Sequence, residues 1–256
     1  MPGILVIQIN NLHSSERSLS RRERLCSVRF VCVFHGQGAV PHDRMNRTIP
    51  FREKHMCGRV YMAPADPELR ELVREMNRSG LAARFRKNGE EPLQAEGEIF
   101  PSAVLPVLAV SRSGEQRVFP MKWGFSGAKG LLINARAETA ADKPTFRESW
   151  AMHRCVIPVS WYFEWEHDEK QKAGTKYALH PEGEGPVWLA GLYRMEDGIP
   201  VFVILTRPAD ESLLWMHDRM PVMLPKDRIR EWIRPGSDPE PVIRNCLTRV
   251  RWEQAV

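Results

Sequence analysis

Residues 154–165, RCVIPVSWYFEW, contain two strand-like runs, Cys155–Val159 and Tyr162–Trp165, which are separated by Ser160 and Trp161. Both runs are rich in β-branched and aromatic residues, which are enriched in strands. Further strand-like runs lie on either side, at Val104–Val110, Arg117–Met121, Leu131–Ile133, Lys176–Leu179, Val187–Tyr193 and Val201–Leu205. Strands outnumber helices and do not alternate with them regularly. The pattern therefore predicts an α+β fold built around antiparallel sheets.

The clearest helix signal lies near the start of this β-rich region. Asp66 and Pro67 provide an N-cap followed by proline at the first helical position. Apolar residues then repeat at helical spacing, so we predict a helix that ends near Asn77. Shorter helices are predicted at Thr145–His153, Asp210–Met216 and Asp227–Ile233.

Charge divides the chain into two parts. The first 55 residues, here called the leader, contain nine Lys and Arg but four Asp and Glu. The whole chain has a net charge of +5, so this excess belongs to the leader and residues 56–256, the body, balance to zero. Bulk charge therefore gives no argument that the body binds nucleic acid, and any site for a polyanion must be a local patch.

The leader allows several interpretations. Its apolar opening, Gly3–Ile9, is too short and too poorly flanked for a secretory signal. Its arginines, serines and few acids faintly resemble a transit peptide, and it could also be a disordered basic tail. We favour upstream sequence translated from a start codon placed before Met56, with a pro-segment removed by self-cleavage as the second choice. The working domain is then residues 56–256.

The size and cysteine content of the body bound its class. About 200 residues suit one domain with an ample core, and no apolar run approaches the roughly 18 residues of a membrane span. The five cysteines form no C-x-x-C pair, and three of them lie in the body: Cys57, Cys155 and Cys246. This usage predicts a reduced protein without disulfides, structural zinc or another cofactor. We expect it in the cytoplasm.

Met56-Cys57-Gly58-Arg59 has the form of a second beginning of the chain. If Met56 starts the protein and is removed, Cys57 carries a free α-amine beside its thiol, and this pair can condense with an aldehyde to a thiazolidine ring. An α-amine has a pKa of about 7.7–8.0 against about 10.4 for lysine, so roughly 10% of it is neutral at pH 7. The alternative, a buried apolar cysteine, fits poorly beside Met, Gly and Arg.

Polar residues interrupt the strand pattern in four places. These are Met56–Arg59; Lys122–Phe125 with Ile133–Thr139; Arg154–Pro158 with Trp161–Trp165; and Ile204–Thr206 with Met216–Pro221. In this order and spacing they closely resemble the SOS-response-associated peptidase (SRAP) family, over essentially all of residues 56–256. The resemblance implies a single β-rich domain of antiparallel, barrel-like sheets with short flanking helices. It also implies a monomeric thiol autopeptidase, with a possible lyase side activity, that shields abasic sites in single-stranded DNA by a covalent DNA–protein cross-link.

The resemblance implies four catalytic residues: Cys57, Asn134, Glu164 and His217. In the family the cysteine directly follows the initiator Met, whereas here it is preceded by 56 residues. Glu164 lies among aromatic residues, where a carboxyl group tends to a raised pKa and can act as general acid or base; the alternative is a solvent-facing strand residue. His217 titrates near neutrality and could shuttle protons, or could cap a helix end. Asn134 could orient the Cys57 amine or the sugar, or occupy a turn.

Candidate DNA contacts also lie within the four motifs. Arg59, Arg136 and Arg219 are the motif cations, and Arg136 could bind a phosphate or instead form a surface salt bridge with Glu138. Trp123, with Phe125 near it, could provide a stacking platform for bases. Most of the eight tryptophans are expected in the core.

Two functions of other classes remain open from the sequence. One is a cysteine peptidase that acts on separate proteins, with Cys57 assisted by His217. The other is a non-catalytic module for single-stranded DNA, whose binding would be reversible and strongly salt-dependent. A cross-link that survives denaturing separation distinguishes the proposed chemistry from the second alternative.

Overall fold

Short strands joined by a few short helices make up the structure, a computed structural model that describes residues 58–86, 93, 95–167, 173–183 and 185–255. The strands are β1 (Arg59–Met62), β2 (Gly97–Ile99), β3 (Val104–Val110), β4 (Gln116–Trp123), β5 (Phe125–Gly127), β6 (Gly130–Leu132), β7 (Asn134–Arg136), β8 (Arg154–Val159), β9 (Trp161–His167), β10 (Ala173–Pro181), β11 (Val187–Glu196), β12 (Ile199–Pro208), β13 (Arg219–Pro221), β14 (Met223–Leu224) and β15 (Val250–Gln254). The α-helices are α1 (Pro67–Arg78), α2 (Ala137–Ala140), α3 (Pro144–Met152), α4 (Ile229–Ile233) and α5 (Glu240–Arg244). None of the helices in these ranges is long and apolar enough to cross a membrane.

Five strands pair in a closed ring and form a barrel. Strand β4 pairs with β3, β3 with β8, β8 with β11, β11 with β12, and β12 returns to β4. The first four pairings are antiparallel and the last is parallel. Closure leaves these strands without unpaired edges over the paired residues. The predicted α+β class with antiparallel, barrel-like sheets is confirmed.

The barrel is filled by the apolar runs that the sequence shows. Every residue of β8 is buried, and so are Pro200–Thr206 of β12. Gly191 of β11 lies where no side chain fits, because an added Cβ would be 2.5 Å from Ile157 Cδ1 and 2.8 Å from the Val203 carbonyl oxygen. The tight interior explains why β-branched and small residues dominate these strands.

A second sheet has five antiparallel strands in the order β15-β10-β9-β1-β2. In β1, Val60 and Met62 are buried whereas Arg59 and Tyr61 are half-buried, which is the alternation expected of a strand with one face on the core. Helix α1 follows β1. Its N-cap is Asp66, whose carboxylate accepts hydrogen bonds from the Glu68 and Leu69 N–H groups, as predicted.

Candidate active site

A cleft of about 350 Å³ opens where the described chain begins. Its lining residues are Gly58, Arg59, Phe100, Pro101, Glu164 and Trp165. Arg59 pairs with Phe163 across the sheet, so the same register places Gly58 beside Glu164. Cys57, the predicted nucleophile, lies outside the described residues and directly precedes Gly58 in the sequence.

Glu164 is a buried carboxyl group in the middle of the five-stranded sheet. Its strand, β9, lies between β1 and β10, and the residue is 7% exposed. The Trp165 N–H donates a weak hydrogen bond of 3.4 Å to Glu164 Oε1. The alternative of a solvent-facing strand glutamate is therefore wrong, because water is largely excluded from this side chain. A carboxyl group in such a place can exchange a proton with a bound molecule instead of with solvent.

Asn134 begins β7, which runs parallel to the barrel strand β12. Asn134 lies opposite Ile204, and Arg136 lies opposite Thr206. The preceding residue connects this segment to the cleft, since a Cβ added to Gly58 would be 3.7 Å from Ile133 Cδ1. The start of β7 therefore lies near the beginning of the described chain.

Trp123 fixes the start of β7 from inside the core. Its indole is fully buried, stacks on Phe202 at 6.1 Å and donates a 3.0 Å hydrogen bond to the Ile133 carbonyl. A ring without exposed surface cannot stack on a base, so the prediction that Trp123 contacts DNA is wrong. Phe125 is buried as well and offers no platform. Trp123 instead positions the residue that precedes Asn134.

His217 is 6% exposed and lies at the end of a 3₁₀ turn, Glu211–Leu213, that precedes β13. Its Nδ1 accepts a 3.0 Å hydrogen bond from the Arg219 N–H and is also 2.8 Å from Asp218 Oδ1. One ring nitrogen cannot accept from the first and donate to the second at the same time. The backbone donor is fixed and directed at Nδ1, so the neutral ring carries its proton on Nε2, whereas Asp218 stabilises the imidazolium form. Both the neutral and the protonated ring of His217 therefore have a partner at Nδ1.

Arg219 is occupied by the protein itself. Its guanidinium makes a bidentate ion pair with Glu138, at 2.6 and 2.9 Å, and also donates to the carbonyl and hydroxyl oxygens of Thr206. Burial would raise the pKa of Glu138, but the hydrogen bonds from Arg219 outweigh it and hold that pKa below its ordinary value. The Arg219 side chain is 15% exposed. Arg219 therefore links β13 to Glu138 of α2 and Thr206 of β12.

Arg136 differs from Arg219 in its surroundings. It is exposed at the end of β7, and none of the ion pairs among the described residues includes it. The salt bridge with Glu138 that the sequence allows is not formed, because Glu138 pairs with Arg219. Arg136 therefore presents an available cation at the surface.

Arg59 borders the cleft within a network of charges and rings. It donates to Glu98 Oε1 at 2.9 Å, and Lys176 donates to the other oxygen of Glu98 at 2.8 Å. Its guanidinium lies 4.5 Å from the Phe100 ring centre and 4.9 Å from that of Trp165. Burial would raise the pKa of Glu98, but the hydrogen bonds from Lys176 and Arg59 lower it. The network holds Arg59 at the mouth of the cleft.

Tyr177 and Trp215 connect the two sheets beside Glu164. Tyr177 is the cross-strand partner of Glu164, so both side chains lie on the same face. The Tyr177 ring packs edge-to-face on Trp215 at 5.2 Å, and Trp215 precedes His217 by two residues. Strand pairing and ring packing therefore link Glu164 through Tyr177 to Trp215, which lies two residues before His217 in the chain.

The structure places Glu164 and Arg59 in the cleft at the first described residue and joins His217 to Arg219, whereas Arg136 is exposed at the surface. Sequence reasoning missed Glu98, Lys176, Thr206, Tyr177 and Trp215 as partners of the site. Thr206 lies within a recognised motif, but the contacts of the other four depend on strand register. Among the described residues, no three His, Cys, Asp or Glu side chains are grouped in a way that could hold a metal ion.

Comparison with known proteins identifies one matching family and several relatives that have the same descriptive name. The family model of the SOS response associated peptidase (SRAP) matches residues 56–255. The abasic site processing protein YoqW of Bacillus subtilis is 34% identical over 164 residues, which cover 57% of this chain and 72% of YoqW. The abasic site processing protein YedK of Escherichia coli is 33% identical over 138 residues, which cover 50% and 60%. The abasic site processing protein HMCES of Xenopus tropicalis is 22% identical over 227 residues, which cover 72% and 68%.

Solved structures show the same fold. A protein from Bacteroides thetaiotaomicron has a TM-score of 0.59 at 19% identity and covers 78% of this chain and 92% of its own. A protein from Bordetella bronchiseptica has a TM-score of 0.58 at 21% identity and covers 78% of this chain and 100% of its own. The match over residues 56–255 spans well over half of the 256 residues. The chain therefore belongs to the SOS response associated peptidase (SRAP) family.

Proposed function

We propose that this protein processes abasic sites in single-stranded DNA by forming a covalent thiazolidine cross-link through Cys57. The observation that carries the proposal is the cleft at Gly58, where a buried carboxyl group lies beside the residue that follows Cys57. Relatives that are named abasic site processing proteins support the substrate class. The proposal requires that Cys57 is the first residue of the working protein.

The proposed chemistry proceeds in three balanced steps. The ring-opened abasic sugar presents an aldehyde, whose carbon is attacked by the neutral α-amine of Cys57 to give a carbinolamine. Loss of one water gives an imine. The Cys57 thiol then adds to the imine carbon and transfers its proton to the nitrogen, which closes a five-membered ring. The net reaction joins aldehyde and aminothiol and releases one water, and the ring is more durable than a simple imine.

The surrounding residues have distinct proposed roles. Glu164 protonates the sugar ring oxygen as the ring opens, for which a dry carboxyl group is suited. As the imidazolium, which Asp218 stabilises, His217 gives a proton to the hydroxyl that leaves the carbinolamine, so that the hydroxyl departs as water. Asn134 orients the amine or the sugar.

Phosphate contact is assigned to the surface arginines. Arg136 is exposed and outside the ion pairs described above, so its charge is available to a phosphate oxygen. Arg59 is held at the cleft by Glu98 and the flanking rings and contributes a second contact. Arg219 contributes through the position of His217, since its own donors are used by Glu138 and Thr206.

The same thiol accounts for the proposed autopeptidase activity. Hydrolysis of the peptide bond between Met56 and Cys57 would release any preceding segment and expose the α-amine. A lyase side activity would follow from the imine, which acidifies the adjacent sugar carbon. We propose that the protein acts as a monomer and is located with DNA in the cytoplasm.

A denaturing gel tests the proposal. A recombinant protein that begins at Met56 is incubated with labelled single-stranded DNA that contains one abasic site, and we expect a protein–DNA band that survives heat and detergent. Cys57→Ala should lose this band, although its α-amine can still give an imine that borohydride traps. Cys57→Ser should give at most a less durable adduct. A durable adduct of Cys57→Ala without reductant would contradict the thiazolidine mechanism.

A further inference from the structure

Three aromatic side chains form an exposed cluster beside the candidate active site. Tyr177, Trp215 and Trp252 pack edge-to-face on one another, with ring centres 5.2 to 5.5 Å apart. Trp252 is 46% exposed and Trp215 is 36% exposed, although large aromatic rings normally lie in the interior. We call these three residues the aromatic cluster. Leu214, which is also exposed, adjoins it in the sequence.

The position of the cluster is set by the two strands that carry the site. Tyr177 is the direct cross-strand partner of Glu164, and Trp252 of the edge strand β15 is paired with Leu179, two residues along β10 from Tyr177. Residues two apart on a strand share a face, so Tyr177, Glu164 and Trp252 lie on one side of the sheet. Trp215 reaches the same side from the turn that carries His217.

A purely structural role explains only part of this arrangement. Tyr177 and Trp252 could hold β15 on the sheet, and Trp215 could hold the His217 turn. Trp215 and Trp252 nevertheless remain 36% and 46% exposed. Exposed aromatic rings are the feature that single-strand-binding proteins use to stack successive bases without sequence preference.

We propose that the aromatic cluster stacks one unpaired nucleobase directly adjacent to the abasic sugar in the substrate strand. This inference rests on the proposed function and adds a subsite to it. We assign a base to the cluster because Tyr177 pairs with Glu164 and Trp215 lies two residues before His217. Glu164 and His217 are themselves assigned to the abasic sugar. The abasic nucleotide has no base that could stack on the protein. Stacking of the neighbouring base would therefore orient the abasic sugar.

The test is a double-mutant cycle on binding. The probe is single-stranded DNA with one tetrahydrofuran abasic analogue, which cannot open to an aldehyde and therefore reports binding without cross-linking. A second probe removes the base on the 5′ side of the analogue, and a third removes the base on the 3′ side. The proteins are the wild type, Trp252→Ala, Trp252→Phe and Met195→Ala, an exposed residue of barrel strand β11 that serves as control.

Trp252→Ala should raise Kd for the first probe by roughly 5- to 150-fold, the range equivalent to the stacking of one base. Trp252→Phe should retain most of the affinity, and Met195→Ala should match the wild type. One of the other two probes lacks the base that stacks on the cluster. On that probe Trp252→Ala should bind with the same Kd as the wild type. An equal loss on all three probes, or no loss on the first, overturns the inference. Self-association that Trp252→Ala abolishes, with DNA affinity unchanged, would overturn it in favour of an interface between copies.

Folding and the proposed function are controlled separately. Trp252 lies on an edge strand, and urea unfolding of each variant shows whether a loss of affinity reflects loss of structure. Cross-linking of the wild type to true abasic DNA tests the proposed function alone. If the wild type cross-links but the effect of Trp252→Ala does not depend on a neighbouring base, only this inference is wrong. If that dependence is found but the wild type does not cross-link, only the proposed function is wrong.

Discussion

At the scale of single residues, burial separates the groups that we propose to transfer protons from those that we propose to bind phosphate. Glu164 and His217 are almost entirely shielded from water, whereas Arg136 is exposed. A shielded acid–base group affects the chemical step, because its proton goes to the substrate. An exposed cation affects encounter and affinity, because its charge attracts phosphate wherever the strand lies.

The first prediction concerns the acid–base residues. Glu164→Gln and His217→Ala should each slow cross-linking by about 10²- to 10⁴-fold, the usual contribution of general acid–base catalysis. Affinity for intact single-stranded DNA should stay within a few-fold, and rates are measured by quenched gel assays. Glu148→Gln, an exposed glutamate of α3, is the control and should change neither quantity. Losses of affinity as large as the losses of rate would show that these residues bind or support the fold instead.

The second prediction separates two arginines that the sequence does not distinguish. Arg136→Ala should weaken binding to single-stranded DNA and reduce its salt dependence by about 0.7, the contribution of one phosphate contact. Its stability should change by no more than about 0.5 kcal/mol. Arg219→Ala should instead lower the free energy of unfolding by about 1–3 kcal/mol, because the partly buried partners Glu138 and Thr206 lose their donor.

Anisotropy titrations at several salt concentrations and urea unfolding measure both effects. A salt slope that falls in Arg219→Ala but not in Arg136→Ala would reverse the assignment. Arg219→Lys should be more stable than Arg219→Ala but less stable than the wild type, because a point charge cannot reproduce the bidentate geometry.

At the scale of elements, the barrel and the five-stranded sheet depend on different forces. The barrel has a close-packed apolar interior without space for additional atoms. The sheet is joined at the cleft by Glu98, which connects Arg59 of β1 with Lys176 of β10 from its own strand β2. The two predictions that follow test each force.

The third prediction concerns the barrel interior. Gly191→Ala should lower the free energy of unfolding by about 1–3 kcal/mol through overpacking, since the new Cβ would meet Ile157 and the Val203 carbonyl. Gly80→Ala is the matched control, because its added Cβ would have no neighbour within 4 Å. The control should be neutral or stabilising by about 0.4–1 kcal/mol. Equal unfolding midpoints of the two variants in urea would show that the barrel relaxes around Gly191.

The fourth prediction concerns acid stability. Glu98 has a folded-state pKa below its ordinary value, because its hydrogen bonds from Lys176 and Arg59 outweigh burial. Its contribution, about 1 kcal/mol for a partly exposed network, is therefore present above the unfolded pKa of about 4.3. It is lost as pH falls through the lower folded pKa.

Urea unfolding of the wild type and Glu98→Gln checks this from pH 7 to pH 3. The difference between them should be constant down to about pH 5 and shrink below about pH 4.3. A difference that grows on acidification would show that burial dominates at Glu98.

Elements with strong local signals could be predicted closely. The predicted strand Val104–Val110 has the same bounds as β3, and the predicted helix after Asp66 corresponds to α1. The predicted helix Asp210–Met216 is wrong in extent, because only Glu211–Leu213 forms a 3₁₀ turn. The Ala209 N–H bonds to the Asp218 carbonyl, so the chain must reverse here to lay β13 along β12. That pairing is tertiary and overrides the local apolar pattern.

The contacts of the predicted site residues could not be predicted from the sequence. Arg219 and Glu138 are 81 residues apart, so only the β7–β12–β13 arrangement brings them together. The burial of Trp123 can be predicted from the sequence, because Met121 and Trp123 lie on the same side of a strand whose other side carries exposed Lys122. That alternation already indicated an interior indole.

At the scale of the whole molecule, the family match and the charge balance divide the chain at nearly the same place. The SRAP match covers residues 56–255, and the excess of basic residues belongs to residues 1–55. A neutral body can hold DNA only through local groups, such as Arg136, Arg59 and exposed rings. Its affinity should then depend less on salt than that of a protein that binds through bulk charge.

The fifth prediction concerns the first residue of the working protein. We expect intact mass spectrometry of the native protein to give the mass of a chain that begins at Cys57, because thiazolidine formation needs an α-amine that no internal cysteine has. A chain that begins at Met1 and retains its leader should fail to form the durable cross-link that the protein beginning at Cys57 forms. Native protein that begins at Met1 and still cross-links durably would exclude the α-amine of Cys57 as the attacking group. The reacting nitrogen would then be the Met1 α-amine or a lysine, and a lysine, whose amine is neutral in well under about 0.1% of molecules at pH 7, would give a cross-linking rate that rises steeply with pH.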